Sequence, residues 1–304
     1  LFLFWETKAS IPILPFRVLS NRPVVYVCLI GLLDFASFTL SWTYLSAFIQ
    51  VLRSWEQTRT AYFATTQNIT STLMGIVVGY AMSTTRRYKT LMVGGVIVRL
   101  IGVSMMIRYR NQYDPTFMLV LCQLLQGIGG GAVAITMQVA CQICVRHSDV
   151  ALVTAFELLT TEIGAAMGSA IAGLIFSGSL PGSLARHLPM LSHDEVTRIY
   201  GSLQEALKYP LGSEIRAGII DAWVEVMRNV CVVATLILIP GLFLALAMPN
   251  ATLPDHSTYQ AQISAGSLPK RVLHTHHEWF DRSNFISGAL CAIHCRSLMT
   301  LVML

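Results

Sequence analysis

Apolar residues fall into six long runs along the chain, at residues 24–49, 58–82, 90–107, 116–142, 150–177 and 224–247, each closed by charged, proline or turn residues. A hydrocarbon core about 30 Å thick takes about 20 residues of helix at 1.5 Å each, so every run predicts a membrane-spanning α-helix. Several runs exceed that length, which permits tilt but fixes no angle. The pattern predicts an all-α membrane protein in three parts. These are a cytoplasmic linker over 1–22, a six-helix transmembrane bundle over 23–248 and a tail over 249–304. The tail has no clean periodicity from residue 257 on and is expected to be disordered.

Composition agrees with a bilayer environment. The 304 residues are 54% hydrophobic and only 12% charged, with a mean hydropathy of +0.60, where a soluble domain carries about 25% charged residues. This excludes disorder as the state of the whole chain. The net charge of +5 comes from 21 scattered basic residues, which argues against nucleic acid as a partner. Five of the seven cysteines (Cys28, Cys122, Cys141, Cys144, Cys231) lie in apolar runs and read as small hydrophobes. The chain opens at Leu1 on a proline-containing segment with no signal peptide, and it reads as a fragment of a longer product.

Basic residues orient the bundle. Lys8, Arg17 and Arg22 precede the first run, Arg86, Arg87 and Lys89 join the second to the third, Arg146 precedes the fifth, and Lys270 and Arg271 follow the sixth. These ends are expected to face the cytoplasm, although Arg53, Arg59, Arg108 and Arg110 on the opposite side moderate the bias. The long connection 178–223 then lies outside. It carries two S-x-x-E sequences, Ser192 to Glu195 and Ser202 to Glu205, each predicting a capped short helix. Such a structured loop suits either ligand capture or simple cover for the span ends.

Ionisable groups inside spans are the most informative residues, because each is costly unless it faces a partner or a cavity. Asp34 lies about 16 Å along the first span, Arg99 is equally deep in the third, and Glu157 and Glu162 lie in the fifth. Asp34 and Glu162 are candidates for proton coupling, since burial raises a carboxyl's proton affinity. Against this, Asp34 and Arg99 also fit a static ion pair, and Glu157 fits a side chain reaching the inner surface. Gln67, Gln123, Gln126 and Gln138 suit either a polar ligand or neighbouring helices. Tyr44 and Trp42 suit either ligand stacking or the interfacial aromatic belt. The glycines 127, 129, 130 and 131, and Gly164-x-x-x-Gly168 with Gly173, favour close helix packing and also permit sliding.

Other patterns carry less. Cys141-x-x-Cys144 lacks a second cysteine pair or a positioned histidine, so neither zinc nor redox catalysis is expected. His274, His276 and His277 with Cys291 and Cys295 have no fold to hold a metal. Asn68-Ile69-Thr70 matches the glycosylation pattern inside a span, where it cannot be used. No P-loop sequence is present. No cofactor, metal or enzymatic constellation is expected, and transport would draw on an ion gradient.

A basic second connection, a glycine-rich fourth span and a glycine-patterned fifth are the arrangement of one six-helix half of a major facilitator fold. Local strings extend the likeness: Tyr44-Leu45-Ser46-Ala47-Phe48-Ile49-Gln50-Val51, Arg87-Tyr88-Lys89, Gly127-Ile128-Gly129-Gly130-Gly131 and His147-Ser148-Asp149-Val150-Ala151. Leu180-Pro181 with Leu184, Leu188-Pro189 and Pro249-Asn250 continue it. Over about residues 5–253 the chain resembles the fungal siderophore iron transporter family of that superfamily. Three departures stand out. The segment Gly79 to Arg87 lacks the superfamily's acidic loop residue, Gln123 stands where its fourth-helix motif has arginine, and Ser169 where its fifth-helix motif has proline. From about Tyr259 the tail matches nothing in the family, and it is expected to be either real or a read-through of an intron.

The resemblance implies the C-terminal half of a carrier whose N-terminal half is a missing partner. It further implies proton-coupled uptake of ferric hydroxamate siderophores by alternating access, in a plasma membrane or an endosomal vesicle. The residue expectations come from depth and chemistry: Asp34 and Glu162 for proton coupling, with Arg99 as the intramembrane charge partner. Tyr44, Gln67 and Gln126 are expected at the substrate, and Arg86, Arg87 and Lys89 at the cytoplasmic gate and the lipid headgroups. The outer loop 178–223 is expected to act in capture or release. A glutathione or drug exchanger of the same family, and a truncated non-transporting membrane protein, are the alternatives.

Overall fold

The computed structural model describes residues 21–111, 114–145 and 149–250. Nearly all of the expected linker and tail lies outside them. Nine helices occupy the described residues: α1 Arg22–Trp42, α2 Leu45–Arg53, α3 Gln57–Thr85, α4 Tyr88–Tyr109, α5 Thr116–Ile143, α6 Val150–His187, α7 His193–Gly201, α8 Leu203–Lys208 and α9 Glu214–Ala247. Helix α1 lies against α6 and α9, α4 against α5 and α9, and α3 almost wholly against α5. The long helices alternate in direction. At one end the amide of Asn21 donates to the carbonyl of Cys144 (2.7 Å) and the hydroxyl of Tyr88 to that of Pro249 (2.9 Å), which gathers four connections there. Arg86 and Arg87 lie at this basic end. At the other, capped end, Arg53 donates to the carbonyl of Asp114 and ties α2 to the α4–α5 connection.

Five helical stretches are long and apolar enough to cross a membrane: Arg22–Arg53, Tyr88–Tyr109, Thr116–Ile143, Val150–His187 and Glu214–Ala247. Helix α3, the expected second span, is as long but more polar. Its threonines satisfy their hydroxyls on their own helix: Thr65 donates to Ala61 O (2.8 Å), Thr66 to Tyr62 O (3.0 Å), Thr70 to Thr66 O (2.7 Å) and Thr72 to Asn68 O (3.0 Å). A hydroxyl bonded to the backbone one turn back no longer needs water, so the helix keeps its length at membrane depth. The described residues are all-helical, as expected for an all-α membrane protein.

Two expected boundaries shift. The first run is not one helix but two, broken at Thr43 and Tyr44. No proline causes the break. Instead Thr43 bonds back to Thr39 O (2.6 Å) and Arg110 claims the carbonyl of Ser41 (3.3 Å), an insertion of polar side chains into the helical ladder. The connection 178–223 is also more helical than its composition suggests. Helix α6 continues through Pro181 to His187, because Phe176, Leu180 and Leu184 keep a buried stripe at every fourth position. Helix α9 begins at Glu214, and the short α7 and α8 fill the gap. Of the two expected capping boxes only the first forms, with Ser192 Oγ accepting from Glu195 N (3.3 Å) and the Glu195 carboxylate accepting from Ser192 N (3.0 Å). Glu205 pairs with Lys208 (2.5 Å) instead of completing the second.

Glycines set the closest approaches. A Cβ at Gly164 would meet the backbone carbonyl of Leu32, and one at Gly168 the carbonyl of Ala36, so α6 lies backbone-to-backbone on α1. In α5 the glycines divide by face: Gly127 and Gly131 meet α3 at Gln67 and Ser71, while Gly129 meets α4 at Gly95 and Arg99. Small residues four apart allow this approach. Replacing Gly164 with Val should cost about 1–3 kcal/mol through the forced separation of α1 and α6. The same change at Gly178, where an added Cβ meets nothing within 4 Å, should leave the melting temperature in detergent unchanged.

Acid should loosen α7. Hydrogen bonds from the Ser192 backbone and hydroxyl hold the exposed Glu195 carboxyl below its usual value. A depressed carboxyl contributes above its unfolded value and loses that contribution as pH falls through its folded value. The protection of α7 amides relative to their intrinsic exchange rates should therefore fall selectively on acidification, and Glu195→Gln should remove that selectivity.

Candidate functional site

Three helices bring the polar residues of the bundle together. Along α1, Asp34, Ser37 and Ser41 are spaced three and four apart and so share one stripe. All three are buried. Asp34 meets Arg99 of α4, with Nη1 to Oδ2 at 2.7 Å and side chains only 1% and 5% exposed. The Arg99 guanidinium also lies over the Phe38 ring, 5.6 Å from its centroid. The space for it is made by α5, where an added Cβ at Gly130 would come 2.8 Å from Arg99 Nη1. The glycine pattern in α5 thus serves the charge pair as well as the packing.

Farther toward the capped end, the expected substrate residues Gln67 and Gln126 join each other. Gln67 Nε2 donates to Gln126 Oε1 (2.5 Å), and Gln126 Nε2 donates to Ser41 Oγ (3.2 Å). The chain links α3, α5 and α1. Beyond it Arg110, buried at the end of α4, donates to Ser41 O (3.3 Å) and reaches Met227 Sδ (3.3 Å) and Cys231 Sγ (3.6 Å) on α9. Arg110 was expected in a connection rather than in the core. Gln123 Oε1 and Ser37 Oγ are buried in this region without a hydrogen-bond partner. In a polar interior such groups are places for water or for a solute's polar atoms.

The other expected residues stand apart from this core. Tyr44 caps α2 and its ring stacks on Phe176 of α6 at 3.9 Å, with Trp223 of α9 completing the stack at 5.5 Å. Glu162 is half-buried, off the face by which α6 meets α1. Glu157 is the fully buried acid of α6, at 0% exposure, and does not reach the inner surface. Arg86 and Arg87 are exposed at the tight α3–α4 turn and Lys89 is half-buried after it. There Arg86 adopts a left-handed conformation (φ 55°) and its N–H closes α3 on Met82 O (2.9 Å). Ser41, Arg110 and Arg216 escape a sequence reading. The two arginines resemble ordinary connection residues until neighbouring helices enclose them.

The described residues thus form an all-helical bundle with helices of membrane-spanning length and a buried charge pair beside a polar amide chain. Residues 12–185 match the Major Facilitator Superfamily, and the chain belongs to it. Its similar proteins are fungal. It is 29% identical over 258 residues to the MFS siderochrome iron transporter C of Aspergillus fumigatus, which covers 84% of this chain and 42% of that protein. It is 30% identical over 258 residues to the siderophore iron transporter mirC of Emericella nidulans, with the same shares of 84% and 42%. With the siderophore iron transporter 1 of Schizosaccharomyces pombe the identity is 34% over 235 residues, 77% of this chain and 38% of that one. The chain therefore spans about two-fifths of the length of these relatives.

Removing one member of the buried pair strands the other charge. Arg99→Met should destabilise the bundle by about 3–5 kcal/mol. Combining it with Asp34→Asn should recover much of that loss in thermal unfolding, whereas additive losses would show that the two residues act separately.

Proposed function

We propose that this chain forms the C-terminal half of a carrier that imports ferric hydroxamate siderophores with protons, by alternating access. The observation that carries the reading is its relatedness along most of its length to proteins named siderophore or siderochrome iron transporters. The chemistry of the bundle supports it. A carboxylate held 2.7 Å from a guanidinium at mid-depth is a protonation-sensitive link, since a proton on Asp34 weakens its attraction to Arg99 and loosens one of the ties between α1 and α4. Gln67 and Gln126 lie farther along the same polar face of α1, through Ser41, and offer amide donors and acceptors matched to hydroxamate carbonyl and N–O groups. Movement of the charge pair and exchange of the amide bonds can then be coupled through α1.

The remaining faces suit a second half. Helix α6 exposes Ala151, Ala155, Ala166, Ser169 and Ala170 on the side away from α1, with Glu162 among them. Helix α3 exposes Tyr62, Thr65 and Tyr80 away from α5. These side chains alternate with exposed Leu159, Ile163 and Met167 on α6 and Ile69, Leu73 and Val77 on α3, a mixed surface that suits a protein neighbour as well as lipid. In this reading the N-terminal half covers both helices, Glu162 faces the space between the halves, and Tyr44 lines its outer rim. Arg86, Arg87 and Lys89 act at the cytoplasmic gate and against anionic headgroups. The membrane is the plasma membrane or an endosomal one.

The test uses the complete reading frame in iron-starved fungal cells lacking their own carriers. Labelled ferric hydroxamate should accumulate, and a protonophore should abolish the accumulation. Asp34→Asn should lose gradient-driven uptake even when uptake is scaled to the amount of carrier at the surface, and unchanged uptake per surface carrier in that variant would remove Asp34 from the mechanism. Efflux of glutathione or drugs in place of uptake would favour an exchanger of the same family.

A further inference from the structure

Helix α2, the outer piece of the broken first span, is held from across the bundle. Arg216, in the first turn of α9, is a fully buried cation. One terminal nitrogen donates to Val51 O (2.8 Å), Gln50 O (3.3 Å) and Ser54 Oγ (3.0 Å), and the other to the carbonyl of Ala206 in α8. Gln50 and Val51 belong to the last turn of α2, where the helix dipole favours positive charge, and Gln50 O already accepts from Ser54 N (2.9 Å), so Arg216 is a second donor there. Ser54 follows in a left-handed conformation (φ 49°), so the chain turns around the guanidinium. Arg110 makes the corresponding contact for α1, at Ser41 O. Each piece of the first span thus ends on an arginine from elsewhere in the fold. Among the described residues, neither arginine lies within ion-pair distance of a carboxylate.

Burying a full positive charge against carbonyls alone is costly, and a lysine or glutamine could not span the same four acceptors. Only the planar fork of an arginine joins the end of α2, the turn after it and the chain of α8 at once. The two ties act on different pieces of the first span, and Arg53 adds a further one from α2 to the carbonyl of Asp114 in the α4–α5 connection. Arg110 links α1 to α4 and the middle of α9, whereas Arg216 links α2 to α8 and the start of α9. Between them Thr43 and Tyr44 lie outside both helices.

We infer that Arg216 is a positioning residue that makes α2, α8 and the first turns of α9 a single outer body, pivoting against α1 at Thr43 and Tyr44. The inference rests on the transport reading above, since a pivoting outer piece serves a carrier that opens and closes. It adds a route by which the outer segment acts. A solute engaging residues 188–213 shifts α8, Arg216 carries the shift to α2, and Tyr44 at the start of α2 leaves or rejoins its stack on Phe176.

The experiment uses the complete carrier in liposomes, with spin labels on exposed positions. Ser46 of α2 is paired with Gln204 of α8 in one sample and with Leu29 of α1 in another. The Ser46–Gln204 distance should stay single and narrow with or without ferric hydroxamate, while Ser46–Leu29 should shift when the solute is added. Arg216→Gln should broaden the first distribution even without solute, and Arg216→Lys should partly restore it. In uptake, Arg216→Gln should lower the maximal rate about tenfold with KM within about twofold, and Arg216→Lys should recover part of that rate. A Ser46–Gln204 distance that moves as much as Ser46–Leu29, or that stays narrow in Arg216→Gln, overturns the inference. So does an equal loss of uptake in both variants. Absence of ferric hydroxamate uptake by the unsubstituted carrier would instead sink the transport reading, and the solute-free distances of Arg216→Gln would still decide the positioning role.

Discussion

Nothing in a hydrocarbon core hydrogen-bonds to a protein, so every polar group carried into it needs a partner from the same chain or from a neighbouring one. Most of this structure follows from meeting that demand. The threonines of α3 turn back onto their own carbonyls, Asp34 meets Arg99, and Gln67, Gln126 and Ser41 close a chain across three helices. Arg110 and Arg216 settle on backbone carbonyls at helix ends. Each solution ties elements that lie far apart in sequence. The polar residues are few, but they define which helices must be neighbours and at what depth.

Glycine makes those ties reachable. An arginine–carboxylate pair and an amide chain need helices whose axes are close, and large side chains at the crossings would hold them apart. Gly129 and Gly130 of α5 open the room in which Arg99 lies, and Gly127 and Gly131 let α3 settle near enough for Gln67 to reach Gln126. On the other side Gly164 and Gly168 let α6 lie against the α1 backbone. The same small residues that pack the bundle therefore set the geometry of its polar centre. Packing and function are two consequences of one pattern here, which is why the sequence alone left both readings of the glycines open.

Much of the architecture was legible from the sequence because the signals are local and strong. Six helical segments, the basic end at Arg86 and Arg87, and the Ser192 to Glu195 cap each depend on residues within a turn or two of one another. The pairing of Asp34 with Arg99 was legible too, since two opposite charges at matching depth have little choice of partner. Less local features escaped. The break at Thr43 and Tyr44 has no proline or glycine to announce it and depends on Arg110, far along the chain. The second S-x-x-E sequence matches the first in pattern, yet Lys208 three residues on competes for Glu205 and the box does not form.

What the sequence determined by itself was the class of structure and the inventory of chemistry: apolar runs of spanning length, three acids and one base deep within those runs, and glycines at helical spacing. Hydrophobic length and residue type are properties of the chain, and they survive without knowledge of the fold. What only the tertiary structure decided was which polar groups meet. Glu157 is sealed inside while Glu162 is not, Tyr44 is stacked on Phe176, and Arg110 and Arg216 become buried cations though neither lies in an obvious run. The reason is geometric. A residue's neighbours in a bundle are set by the rotation and crossing of whole helices, and those depend on contacts summed over the length of every helix rather than on the residue's own surroundings in sequence.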